Sequence, residues 1–540
     1  MRPAWISLIL LAFGCDDPTG STADVAPPDL GVVDAAPPTE APLPLVPAPA
    51  ATARLTRAQY HHIIADVFGP DVVVSGPLEP DVALDGLWAI GAASTTISPR
   101  GVELYEAAAF TIAEQVVANE ALRQRAFGCA GLDAACRRDG LAHLGRLLWR
   151  RPLTEEELAA VQAVAEDAAT TLADPGAGLV FGVATLLQSP WFLFRPATGE
   201  GRLDAFADAT RLAFFLWDST PDAPLLAAAE AGDLDRPQSR RAWIEAMLDD
   251  PRARRGVRTF FNDYLHLRDL DRLIKDPTVF TRYSAELGPM AQEETLATLE
   301  HLVFEVEGDF RTLFTDRTTF LNRKLAALYG VPAPVAEGFG RTELPADGPR
   351  AGLLGHASIL AKNAHPVSSS ATLRGRFIRE TLLCGAIPAP PADVDTALPE
   401  PNPELPTLRD RVGVHLTEPQ CAGCHQIMDP IGLGLETFDG IGRFRATENE
   451  VAIDASGVLD GVPFDDARSL GEAIAGHPHL GPCLTRKLYS YAVGHVPTVG
   501  EAGEIQRLSA IFAEEGHRVT ALMRAIAMSE GFRRFAPVEE

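Results

Sequence analysis

The sequence predicts a mainly α fold made of several helical modules, and three observations carry the prediction. Apolar residues recur at helical spacing in one stretch after another, with capping residues ahead of them and Gly or Pro behind. Alternating patterns are scarce, the best being Val451 to Val458, which reads as one short β excursion. The chain has 540 residues, a length that suggests three or four domains. Breaks fall at Pro332 to Gly348, rich in Pro, Gly and Glu, and at the proline-rich stretch Ile387 to Pro406.

The elements follow in order. Met1-Arg2 is a basic start, and Ile6 to Phe13 is an apolar run too short to span a bilayer. Residues 1–15 therefore read as an export signal with a lipobox-like end, and Cys15 as the lipid-bearing residue, although Ala12 stands where Leu is usual and Phe13 is bulky. Residues 16–51 are dominated by Pro and Ala and hold no aromatic residue, which reads as a disordered spacer. Thr56 caps a predicted helix with Ile63, Ile64, Val67 and Phe68 on one face, stopped by Gly69-Pro70. Thr154 and Glu157 form a capping box ahead of Leu158, Val161 and Val164. Thr210 to Trp217 reads as a core helix, and Glu293 to Val306 carries Leu296, Leu299 and Val303 at helical spacing. Pro482 to Gly494 begins with Pro and ends with Gly, as a short helix does.

The formal net charge is −26, which argues against nucleic acid as a partner. No apolar run of eighteen residues follows the signal, so membrane contact is expected through the lipid anchor only. Nucleophile-elbow, H-E-x-x-H, P-loop and dinucleotide signatures do not occur, and the adjacent His61 and His62 point to different sides of a helix.

Residues 421–425 read Cys421-Ala422-Gly423-Cys424-His425. This is the C-x-x-C-H pattern of covalent c-type haem attachment, expected by chance about twice in a thousand chains of this composition. A zinc site would want a second Cys/His pair at short spacing, and a redox dithiol a βαβ context; neither is present. Haem c is therefore the expected cofactor, with Cys421 and Cys424 as thioether positions and His425 as the proximal iron ligand. The sixth position stays open between His365 and a vacant or water-bound site. His415, Met523 and Met528 are weaker candidates, and Met428, one turn beyond His425 on the same face, reads as packing.

The remaining four thiols allow three pairings. Cys129 and Cys136 are close enough in sequence to close a small loop, which leaves Cys384 with Cys483 across the haem region; buried free thiols are the other reading. Between Asp429 and Arg445 the glycines permit close approach to a flat macrocycle, and Leu433, Leu435 and Phe438 supply an apolar wall. Arg443 and Arg445 are candidate propionate contacts, the alternative being solvated arginines of a structural turn. Asp429, Glu436 and Asp439 lack the spacing of an EF-hand.

Several motifs in fixed order resemble the multi-module cytochrome-c-like proteins of planctomycetes and myxobacteria, built from consecutive domains of unknown function. Arg54-Leu55-Thr56-Arg57-Ala58-Gln59-Tyr60 resembles the opening module; Leu148-Trp149-Arg150-Arg151-Pro152 and Ser189-Pro190-Trp191-Phe192 bracket the second; Arg211 to Trp217 begins the third. Arg350-Ala351-Gly352-Leu353-Leu354, His365-Pro366, Arg374-Gly375 and the Cys421 to His425 site mark the fourth, and Cys483, Arg486-Lys487-Leu488 and Tyr491-Ala492-Val493-Gly494 the fifth. Ser368-Ser369-Ser370-Ala371 departs from the Thr-Ser-Pro usual after His-Pro, which weakens any role carried over to His365. The expected modules are 52–126, 127–200, 203–332, 349–447 (the c-type haem module) and 463–537.

The fold class expected is thus a mainly α, multi-module helical body with a cytochrome-c-like haem module near the C-terminus. The function expected is electron transfer to a redox partner protein by an exported, lipid-anchored mono-haem protein on the periplasmic side of a bacterial membrane or at the cell surface. The alternatives are a haem-dependent periplasmic oxidoreductase or peroxidase-like enzyme, and a surface scaffold in which haem is structural.

Overall fold

Local capping rules place the helices where the side chains dictate. In the computed structural model, which describes residues 44–388 and 398–536, Thr56 caps the helix Arg57–Phe68 through a reciprocal capping box with Gln59. Thr154 does the same with Glu157 for Glu155–Thr171. The core helix runs from Ala205 to Trp217. The stretch around Leu296 forms Leu287–Glu300 and then widens into a π-helical turn, His301–Val306. Leu480–Val493 ends at Gly494 in the left-handed conformation, φ 80°. The export signal, Cys15 and most of the spacer lie outside the described residues. Among the described residues no helix is long and apolar enough to cross a membrane.

The sheets are small, and they serve as seams between sequence-distant segments. Thr52–Arg54 pairs antiparallel with Phe194–Pro196, so the start of the body is stitched to residues about 140 positions later. Thr318–Leu321 pairs with Gly340–Glu343, so the Pro/Gly/Glu-rich break contributes a strand as well as a linker. The single β excursion expected at Val451 to Val458 is instead divided between two hairpins. Val451–Ala452 pairs back to Thr447–Glu448, and Gly457–Leu459 pairs forward to Val462–Phe464. The division falls at Asp454, whose Oδ1 accepts from Ser456 N–H (2.9 Å) and Ser456 Oγ (2.7 Å), bending the chain in an Asx turn. Positive φ at Asn449 and Glu450, and at Asp460 and Gly461, suits the tight turns of the two hairpins.

The core does not follow the sequence modules. One cluster joins Leu87 and Ile90 to Leu216, Phe260 and Phe310, and then to Leu382, Leu435, Leu484 and Phe532. A second, N-terminal cluster runs from Leu55 through Tyr105 and Leu148 to Phe192 and Phe214. Each helix pair leaves an apolar face that only a neighbouring segment covers. Two disulfides add covalent ties, Cys129–Cys136 and Cys384–Cys483, with Cα separations of 5.9 and 5.4 Å. The second closes a loop of 99 residues, which by loop entropy stabilises by about 4.7 kcal/mol.

A buried polar seam joins the third and fourth segments. Glu294 is fully buried and accepts from Thr319 Oγ1 (2.9 Å) and from Tyr329 Oη (2.6 Å), while Tyr329 Oη accepts from Ala357 N–H (2.7 Å). Arg350 lies 3.7 Å above the Tyr329 ring. Burial pushes the Glu294 carboxyl up to about 7. The folded state therefore binds a proton that the unfolded state releases at the ordinary carboxylate pKa. This contribution is fully present at low pH and is lost as pH rises through about 7. Urea unfolding midpoints measured from pH 5 to 8 are expected to fall with this slope, and Glu294→Gln is expected to flatten it.

Candidate functional site

Two consecutive helices carry the chemistry. Leu408–Thr417 is capped by Thr407 in a reciprocal box with Asp410. Glu418 is extended, and Pro419 opens Pro419–Leu433 at a position where its missing N–H costs nothing. Cys421 and Cys424 are three residues apart, on one face of this helix, and His425 follows directly. Both thiols are free and half-buried, whereas the other four described cysteines are paired. Cys424 Sγ lies 3.5 Å from the Pro388 carbonyl, so the proline-rich stretch reaches the motif.

His425 has a fixed orientation. Its Nδ1 is 2.8 Å from Asp429 Oδ2, one helical turn on. Asp429 is fully buried, and its other oxygen accepts from Thr372 Oγ1 at 2.8 Å. A carboxylate only accepts, so Nδ1 carries the hydrogen, and in the neutral imidazole Nε2 keeps its lone pair. That is the arrangement in which a buried carboxylate orients a metal-binding imidazole. Two free thiols at C-x-x-C-H spacing beside an imidazole so prepared fit a covalently attached haem.

The Ala371–Arg376 helix holds this arrangement in place. It crosses Pro419–Leu433 at Gly375 and Gly432, where a methyl on Gly375 would strike the Met428 carbonyl and one on Gly432 the Ala371 carbonyl. The crossing sets Thr372 against Asp429. Next to it Arg374, fully buried, donates to the carbonyls of Leu435 (2.8 Å), Phe438 (2.8 Å) and Asp439 (2.7 Å), so one guanidinium shapes the glycine-rich segment. Arg374 and Asp429 were not legible as site-builders from composition. The i, i+4 spacing of His425 and Asp429 is the signal that would have found the second.

The other candidates fall as follows. His415 is buried, its ring 4.7 Å from that of His425 at 65°, and its Nδ1 has no hydrogen-bond partner. Two imidazoles on opposite sides of one iron stand about 6 Å apart between ring centres, given metal–nitrogen bonds near 2 Å; His415 flanks His425 rather than facing it. His365 is exposed on a loop tied elsewhere, with Lys275 Nζ donating to its carbonyl at 2.9 Å. Met428 is buried at the helix crossing, and Met523 is buried in the main core. Arg443 is exposed. Arg445 is engaged within the loop by Glu436 Oε2 (2.7 Å) and Ser369 Oγ (3.0 Å). Asp429, Glu436 and Asp439 point to three different sets of partners and form no cluster. The principal cavities of the molecule lie away from the thiols.

Five families match the chain in succession, each described as a protein of unknown function: DUF1587 over residues 53–118, DUF1595 over 136–196, DUF1592 over 203–331, DUF1588 over 350–448 and DUF1585 over 460–532. Together they span about four-fifths of the chain. The chain belongs to the planctomycete cytochrome-c-like family assembled from these consecutive domains. No curated protein and no solved structure matches it significantly.

Because the helix crossing leaves no room for a side chain, Gly375→Ala is expected to cost about 2–3 kcal/mol by overpacking. Urea unfolding measures the loss. The same variant is expected to weaken the Thr372 to Asp429 contact, read as a changed His425 ring resonance in NMR spectra.

Proposed function

We propose that this protein is an exported, lipid-anchored mono-haem c-type protein that passes electrons to a redox partner protein. Cys421 and Cys424 would hold the haem and His425 would ligate its iron through Nε2. The observation that carries the reading is the set formed by two free thiols and an imidazole whose Nδ1 is held by buried Asp429. Once attached, haem supplies one-electron exchange at its iron. The chain's own residues fix the imidazole, shield Asp429 from water and, through Arg374, hold the glycine-rich segment. Two disulfides suit an oxidising compartment, and the Cys15 motif supports anchoring on the periplasmic side of a membrane.

A second reading has a specific observation behind it. An imidazole whose Nδ1–H is held by a buried carboxylate would donate more electron density to an iron, and that favours haem chemistry with peroxide over simple shuttling. Reaction with peroxide and an organic electron donor distinguishes the two.

Expression with a haem-attachment system tests the proposal. The purified protein is expected to show a covalent c-type spectrum, six-coordinate and low-spin for a carrier. Replacing Cys421 and Cys424 with Ser is expected to abolish covalent haem; a variant that retains it sinks the reading. Asp429→Asn keeps the shape but removes the negative acceptor, so the midpoint potential is expected to rise by on the order of 50 mV. Redox titration measures it.

A further inference from the structure

Four of the five matched domains meet at a cavity of about 50 Å³. Ala53 and Gln59 come from the first, Arg195 from the second, Arg211 and Phe214 from the third, and Tyr491 from the fifth. Arg195 and Arg211 are the only charged side chains lining it among the described residues. Arg195 lies over the Phe214 ring at 4.3 Å, and its Nε is buried without a hydrogen-bond partner. Arg211 gives Nη1 to the Phe532 carbonyl at 2.7 Å.

Neither guanidinium has a carboxylate of its own. Asp218, the acid that acts on Arg195, accepts from Gln59 Nε2 (2.9 Å) and Tyr491 Oη (3.4 Å) and pairs with His62 at 3.0 Å. Of the two acids that act on Arg211, Asp208 pairs with Arg240 at 2.6 Å and Arg533 at 3.0 Å, and Glu501 pairs with His495 at 3.0 Å and accepts from Tyr489 Oη at 2.9 Å. Desolvation lowers both guanidiniums to about 10, and the neighbouring acids offset it only in part. Two half-buried like charges on one cavity wall, neither within ion-pair distance of a carboxylate, leave room for an anion to offset their repulsion.

We propose that Arg195 and Arg211 form a binding site for a small oxoanion or carboxylate, and that its occupancy clamps the four domains together. One water needs about 10–15 Å³ of such space, so the cavity takes an anion of about four or five non-hydrogen atoms. Two planar forks match the oxygens of a carboxylate or a tetrahedral oxoanion. The site is separate from the Cys421 to His425 motif and does not depend on haem.

The test is thermal unfolding of the full chain, purified in chloride and titrated with phosphate, sulfate or acetate at constant ionic strength. At least one anion is expected to raise the midpoint saturably, by on the order of 2 °C, with calorimetric binding at the same concentration. Saturation by phosphate and sulfate alone assigns a tetrahedral oxoanion; saturation by acetate alone assigns a carboxylate. Arg195→Met and Arg211→Met are each expected to weaken binding at least tenfold, whereas Arg241→Met, at an exposed position, leaves it unchanged. A midpoint that follows ionic strength alike for chloride and every other anion overturns the proposal, as does saturable binding that survives Arg195→Met. Should Arg195→Met not fold, Arg195→Lys keeps the charge but loses the fork, and the unsubstituted chain's anion series decides alone.

Discussion

Helix axes ordinarily stand 8–10 Å apart because side chains fill the space between them. At Gly375 and Gly432 there are none, and the Ala371–Arg376 and Pro419–Leu433 helices come to backbone contact. The arrangement around the thiols depends on that crossing. With the two glycines in register, Thr372 faces Asp429 and Asp429 faces His425. His425 and Asp429 share one helix and turn together, so a shift of one residue along either helix would turn Thr372 and Asp429 apart by about 100° and leave the carboxylate without that donor. The flat packing at 371–375 and 428–432 therefore does for the site what a longer loop could not: it fixes an imidazole's orientation from a rigid element.

Buried arginines hold the segments together, and they do so in two ways. Arg374 and Arg150 point their terminal nitrogens at backbone carbonyls, and Arg374 also pairs with Glu436 at 3.3 Å. Arg150 donates to those of Leu148 (3.0 Å) and Phe194 (2.7 Å), closing the second domain, and Arg374 gathers the chain after the thiol-bearing helix. Arg195 and Arg211 are half-buried, and their forks border a cavity. The difference is one of surroundings: Arg150 and Arg374 lie against several carbonyls, whereas Arg195 and Arg211 line a cavity with room for an outside acceptor.

Helix ends were legible in the sequence because capping is local. Thr56, Thr154 and Gly494 act within four residues of themselves, so their chemistry can be read without knowing the neighbours. Strand pairing was less legible. Gly340–Glu343 becomes a strand only because Thr318–Leu321 lies beside it, and the turn at Asp454 outweighs the apolar alternation on either side of it. His415 was legible as a candidate ligand, but its place beside the His425 ring follows from how two helices pack, which no spacing along one chain reveals.

The amino-acid order by itself determined the mainly α class, the C-x-x-C-H thiols and imidazole, the membership of a five-domain family, and which four cysteines were left to pair. These depend on residue type and short spacing, and such information is complete within a few turns of helix. Tertiary structure alone decided that the domains share cores, that Thr372 backs Asp429, that Arg374 gathers the carbonyls after the thiol-bearing helix, and that Arg195 and Arg211 border one cavity. Each of these joins groups far apart in the chain or on different helices. Burial in a common, water-poor interior is what forces such groups either to pair or to await a partner.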